Sequence, residues 1–189
     1  MNKELIKRII SSIVLIPIAL YVIIQGSSLF NFFILICFII TSYEWHKLSK
    51  KNSFHFIGFI FLIISFYLIY NLRNDFFNKY IYFLIVTSIC ILTDIGGYIF
   101  GKVFKGPKLT QISPNKTYAG MIGGYILSFV LLSLFLSSNY NYLEINELSM
   151  DLFIFIFFVS TVSQLGDIII SYFKRLSKIK DTGKIIPGH

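Results

Sequence analysis

Charge is what this sequence has least of. Only 14% of its 189 residues are charged, against 56% hydrophobic, and the mean hydropathy is +0.75. A soluble domain carries about 25% charged residues, so too little charge is left here to clothe a globular surface. That scarcity excludes a soluble enzyme and a disordered chain. Cysteine is nearly absent as well. The two present, Cys37 and Cys90, both sit in apolar runs, which excludes a secreted disulfide scaffold and reads as small hydrophobic packing. Acids are fewer than bases, 9 against 17, for a net charge of +8. On a soluble protein that excess would point to nucleic acid. In so apolar a chain it points to membrane topology and anionic lipid, with no nucleic-acid partner expected.

What the sequence does have is long apolar runs. A bilayer core of about 30 Å takes roughly 20 apolar residues as helix, and six segments qualify: 9–25, 28–45, 54–70, 80–100, 118–137 and 151–172. The expected fold is therefore all-α, a polytopic integral membrane protein of about six transmembrane helices. The first run is short and holds Pro17, which a membrane helix tolerates. It follows Lys3, Lys7 and Arg8 in the manner of a signal peptide, but no small-x-small cleavage site comes after it, so a retained first span is expected. No soluble domain, low-complexity tract or internal repeat interrupts the chain. Residues 1–79 form an expected N-terminal group of three spans. Residues 80–189 form an expected catalytic membrane region with the loop 101–117 and the basic tail 173–189.

The basic residues orient the spans. With the N-terminus in the cytoplasm, fifteen of the 17 Lys and Arg fall inside, and Arg73 and Lys79 fall outside. The outer loop around 138–150 carries Glu144 and Glu147 and no base. This is a strong positive-inside pattern, and the chemistry-bearing loop and tail both land on the cytoplasmic side.

Two carboxylates lie where carboxylates are expensive. Asp94 and Asp167 interrupt apolar runs near the cytoplasmic ends of spans 4 and 6. An ionised acid at mid-membrane costs about 2.5–3.5 kcal/mol on insertion scales, so such a residue marks a functional site by default. The bland alternative is a snorkelling or helix–helix polar contact, but two acids at similar depth on the same side favour function. In span 6, Ser163, Asp167, Ser171 and Lys174 are spaced i, i+4, i+8 and i+11 and share one helical face, flanked by Gln164 and Arg175. Carboxylate and hydroxyl oxygens suit Mg²⁺. In span 4, Asp94 and Tyr98 are i, i+4. Gly97/Gly101 and Gly120/Gly124 are two GxxxG pairs, a spacing that allows close backbone approach but is common in membrane helices.

The loop between spans 4 and 5 reads Gly106-Pro-Lys-Leu-Thr-Gln-Ile-Ser-Pro-Asn-Lys-Thr117. A positive-inside loop needs lysines, but it does not need this alternation of lysines, hydroxyls and an asparagine. Amides ahead of span 5 are placed to meet an anion, so a phosphate-binding loop is preferred. A Walker motif is rejected, because the glycine before the lysine and the preceding strand are both missing. The tail carries Lys174, Arg175, Lys178, Lys180, Asp181, Lys184 and His189. Cations beside a buried carboxylate suggest a polyphosphate held with a divalent metal, and simple headgroup attraction is the blander reading.

These residues resemble a known family. Ser171-Tyr-Phe-Lys174-Arg175, four residues, then Lys180-Asp181-Thr-Gly183-Lys-Ile-Ile186-Pro187-Gly-His189 is similar to the signature of phosphatidate cytidylyltransferase, the CDP-diacylglycerol synthase. Ser163-Gln164-Leu-Gly166-Asp167, Lys108-Leu-Thr-Gln-Ile-Ser113-Pro114-Asn-Lys116-Thr117 and Asp94-Ile-Gly-Gly-Tyr98-Ile-Phe-Gly101 resemble it too. The likeness runs from about 90 to 189. There are two departures. An acid that many members carry two residues after the Lys-Thr pair is Ala119 here. The family signature also continues past its histidine with glycines, paired acids and a final helix, whereas this sequence stops at His189, so a C-terminal truncation is expected, with an inactive fragment as one reading beside the active enzyme.

The resemblance implies transfer of CMP from CTP to phosphatidic acid, giving CDP-diacylglycerol and pyrophosphate, by a membrane-bound homodimer of the bacterial inner membrane with its site facing the cytoplasm. It implies Mg²⁺, with room for a second, monovalent cation. Asp167, Lys174, Arg175, Lys180 and Asp181 take the catalytic places. Lys108, Ser113, Asn115, Lys116, Thr117, Gln164, Ser171 and His189 take the substrate and phosphate places. Asp167 and Ser163 hold the metal, with Asp94 behind them. Two rivals share the gross features: a CTP-dependent polyprenol- or phytol-type lipid kinase, and a small ion-coupled transporter.

Overall fold

The computed structural model describes residues 3–50, 52–74, 80–138 and 150–178. Lys180, Asp181 and His189 lie outside them. The described residues form six helices: α1 Lys3–Gln25, α2 Ser27–Ser49, α3 His55–Asn74, α4 Tyr80–Phe104, α5 Tyr118–Ser138 and α6 Met150–Leu176. Five of these, α2 to α6, are long and apolar enough to cross a membrane, and Ile13–Gln25 of α1 is a shorter apolar stretch. The molecule is a polytopic, all-helical membrane protein. All six apolar runs are helical but for Phe54 at the start of the third, and most helices overrun them, most visibly where α2 continues to Ser49, α4 to Phe104 and α6 to Leu176. Hydropathy marks the lipid-embedded part of a helix. Lys, Glu and Arg are good helix formers, so the helix continues through its charged flank into the headgroup region.

The chain divides into two compact units. One holds the chain to Phe83 together with Leu176 onward, and the other is Leu84–Arg175. In the first unit, α1 gives way to α2 through Gly26 (φ 63°) and Ser27 (φ 55°), two residues of positive φ that turn the chain. Arg73 near the end of α3 completes this corner. Its Nε donates to the Ile23 carbonyl at 2.7 Å and a terminal nitrogen donates to Ile24 at 3.3 Å. Its guanidinium also lies over the rings of Phe30 and Tyr80. It thereby satisfies carbonyls that the end of a helix leaves unpaired. A Cβ at residue 26 would run into that guanidinium, so glycine is required there on two counts.

The α2–α3 turn is tied by side chains. Ser49 Oγ donates to the Trp45 carbonyl at 2.6 Å and meets His55 Nδ1 at 2.8 Å, while the Trp45 indole N–H donates to the His55 carbonyl at 3.0 Å.

The second unit is built on glycine. Gly96, Gly97 and Gly101 of α4 pack against the backbone of Gly120, Gly123 and Gly124 on α5, most tightly at Gly96 and Gly120. A Cβ on Gly96 would sit 2.5 Å from the Gly123 carbonyl, and one on Gly120 would sit 2.6 Å from the Gly97 carbonyl. Beneath this contact, buried Thr93, Ser128 and Ser160 join α4, α5 and α6, with Thr93 Oγ1 2.9 Å from Ser160 Oγ and Ser128 Oγ 3.0 Å from it. Tyr125 adds a hydroxyl contact to Thr161 at 3.0 Å and stacks on Phe157. Interhelical contacts of this kind replace the hydrophobic drive that lipid removes. Large apolar side chains face outward on every helix, as a lipid environment requires.

Candidate active site

The glycine contact sets two backbones close together, and the chain leaving α4 has to return to α5 beside it. Lys105 (φ 53°) and Gly106 (φ 91°) stop α4 in the left-handed region. The return is a small hairpin. Lys108 bridges Thr117, the Leu109 amide donates to the Lys116 carbonyl at 2.8 Å, and the Tyr118 amide donates to Pro107 at 3.2 Å. Its tip is a turn in which the Lys116 amide donates to the Ser113 carbonyl at 3.0 Å. Thr117 Oγ1 then accepts the Gly120 amide at 3.1 Å, capping α5. Arg175 Nε reaches the Ile112 carbonyl at 3.4 Å and holds the hairpin against the end of α6.

This folding encloses a cavity of about 230 Å³ lined by residues that include Asp94, Tyr98, Asn115, Lys116, Thr117, Gln164 and Asp167. The two expensive carboxylates therefore face one space from different helices. Lys116 Nζ donates to Asp167 Oδ2 at 2.6 Å, and their side chains are 28% and 54% exposed, so the pair is open to solvent and to a ligand. Gln164 is fixed by its amide donating to the Met121 carbonyl at 3.3 Å. Tyr98 is held by Lys102, whose Nζ lies 3.4 Å from its hydroxyl.

Other residues singled out in the sequence sit elsewhere. Ser171 donates its hydroxyl to the backbone carbonyl of Asp167 at 2.7 Å. Ser163 lies beside Cys90. Lys108, Ser113, Lys174 and Arg175 do not line the cavity. Thr93, Gly97 and Gly120 do line it and were not singled out as site residues. Thr93 carries the one signal that could have found it, a hydroxyl in an apolar run directly before Asp94.

The donors fit a hard cation. Asp94 and Asp167 supply carboxylates, and Asn115, Gln164 and Thr117 add amide and hydroxyl oxygens to the lining of the same cavity, an all-oxygen set of the kind Mg²⁺ takes. Among the described residues, no group of three or more His, Cys, Asp or Glu comes together, so such an ion would draw its remaining ligands from substrate and water.

Comparison with known proteins then decides the family. Residues 51–189 match the model of the cytidylyltransferase family. The chain belongs to that family. Among its relatives, the phosphatidate cytidylyltransferase of Rickettsia typhi is 35% identical over 190 residues, covering 96% of this chain and 81% of the relative. The protein of the same name from Rickettsia bellii is 36% identical over 196 residues, covering 100% and 83%. The one from Staphylococcus saprophyticus is 34% identical over 160 residues, covering 80% and 58%. No solved structure matches the chain. The match reaches upstream of residue 90, where the signature motifs begin, and takes in part of the N-terminal spans.

Proposed function

We propose that the chain transfers CMP from CTP to phosphatidic acid, giving CDP-diacylglycerol and pyrophosphate. The observation that carries this reading is the cavity in which Lys116 and Asp167 meet beside Asp94, in a chain whose relatives are named for that reaction. A phosphate oxygen of the lipid forms the new bond to the α-phosphorus of CTP as the bond to pyrophosphate breaks. The nucleophile is already an oxyanion, so the protein's task is alignment and charge neutralisation rather than base catalysis.

Each wall has a part in this. Lys116 leaves Asp167 to bind a phosphate oxygen, and Asn115 with the hairpin backbone steadies the same group. Asp167 and Asp94 would hold Mg²⁺, which when bound neutralises triphosphate charge. Tyr98 and Gln164 orient the substrate. Lys174 and Arg175 at the end of α6, with Lys180 and His189 further along the sequence, attract polyphosphate, and Asp181 serves as a metal ligand or lysine partner. Lys108 and Ser113 support the hairpin. Ser171 and Ser163 act through the α6 backbone and its packing, and a second, monovalent cation has its place near Asp94. The lysine distribution supports a site on the cytoplasmic face and the family resemblance a bacterial inner membrane, where CTP arrives from solution and the lipid from the side. The homodimer rests on the family resemblance. The kinase and transporter readings find no support in the names of the relatives.

Asp167→Asn keeps the shape of the residue and removes its charge. CDP-diacylglycerol formation should fall by at least about 10²-fold, as when a group that stabilises transition-state charge is lost, with the protein still in the membrane fraction. Normal turnover would remove Asp167 from the site.

A further inference from the structure

The first unit holds a second polar cavity that the reaction does not use. It measures about 400 Å³ and is lined by Lys47, Leu48, Lys50, Asn52, Leu176, Ser177 and Lys178. It shares no lining residue with the cavity of Asp94 and Asp167. The three lysines are exposed, and none of the lining residues carries a carboxylate to neutralise them. Lys47 and Lys50 are one turn apart at the end of α2. Lys178 enters from the turn that follows α6, held in a left-handed backbone conformation (φ 53°) that a residue with a side chain adopts at a cost. Asn52 Nδ2 donates to Ser177 Oγ at 3.0 Å, tying the α2–α3 turn to the turn that carries Lys178.

Lysines placed solely to bias topology would need neither a shared cavity nor that tie. Both α2 and α6 are long enough to cross a bilayer and both end here, which places the cavity at headgroup depth. We propose that the Lys47/Lys50/Lys178 cavity binds a phosphate group, carried by an anionic lipid headgroup or free as a small anion. The site does not depend on the reaction assigned above, because binding is read without turnover.

Trp45 is the sole tryptophan. It lies two residues from Lys47, with its indole held on His55, so its fluorescence reports on this corner. The full chain in phosphatidylcholine vesicles is titrated with phosphatidylglycerol brominated in its acyl chains, against brominated phosphatidylcholine. Wild type should prefer the anionic lipid by roughly fivefold, and K47Q/K50Q/K178Q should fall to parity, as expected for loss of several lysines at an anionic surface. K178Q alone should lose part of the preference. K102Q/K105Q, which removes two lysines of the second unit, should keep it. If lipid shows no preference, equilibrium dialysis with labelled orthophosphate gives saturable binding that the triple variant loses, and the source is then the free anion. Neither ligand binding, or wild type and the triple variant behaving alike, or K102Q/K105Q losing as much as the triple variant, overturns the proposal.

Discussion

Lys116 and Asp167 are 51 positions apart and meet at 2.6 Å. Both are partly exposed, and an exposed ion pair contributes about 0–1 kcal/mol, so the pair is not there to hold the fold. Lys116→Gln should leave the thermal midpoint in detergent nearly unchanged while CDP-diacylglycerol formation drops steeply. A fall in both would make the pair structural. The double variant with Asp167→Asn should lose much less than the sum of the single losses, because groups acting as a unit are non-additive. Arg73 is the opposite case. It is buried, and its bonds to Ile23 and Ile24 cap a helix end. Arg73→Ala should cost about 1.5–3 kcal/mol in a denaturation assay, and Arg73→Lys should not restore it, since an ammonium cannot donate in the same fork. Asp94, Asp167 and Lys116, which line one cavity, stood out in the sequence as candidates because an acid in an apolar run is costly and the loop chemistry was specific. The role of Arg73 was not legible, since its partners are backbone carbonyls that carry no sequence signal.

At the scale of helices, glycines and hydroxyls do what hydrophobic burial does in water. The GxxxG pairs were readable as small-residue spacing, but not which helix each one faced. Gly96 and Gly123, which make some of the tightest approaches, fall outside the pairs noted in the sequence. Gly120→Leu would place side-chain atoms into the α4 backbone and should cost at least about 1–3 kcal/mol, the usual penalty for overpacking, with loss of activity following from displacement of the Lys116 hairpin. Ser160→Ala removes a partner shared by Thr93 and Ser128 and should cost about 0.6–1.7 kcal/mol, the range for hydrogen bonds between membrane helices. Thermal unfolding in detergent measures both, and a neutral Gly120→Leu would contradict the close contact. Helix ends were the least legible feature. Composition locates the oily stretch, whereas backbone hydrogen bonding decides where the helix stops, as the continuation of α4 to Phe104 shows.

For the whole molecule, the low charge content and the distribution of lysines give a topology that can be tested directly. A cysteine in place of Lys105, in a background where Cys37 and Cys90 are replaced by serine or alanine, should react with a membrane-impermeant maleimide from the cytoplasmic side alone. Labelling from outside would invert the orientation. The central claim is the identity of the group transferred. Membranes containing the protein are given phosphatidic acid, Mg²⁺ and CTP labelled either at the α- or at the γ-phosphate. The account predicts that the α-label enters a CDP-lipid and the γ-label leaves as pyrophosphate, in equal amounts. Transfer of the γ-label into the lipid, with CDP as the other product, would contradict it.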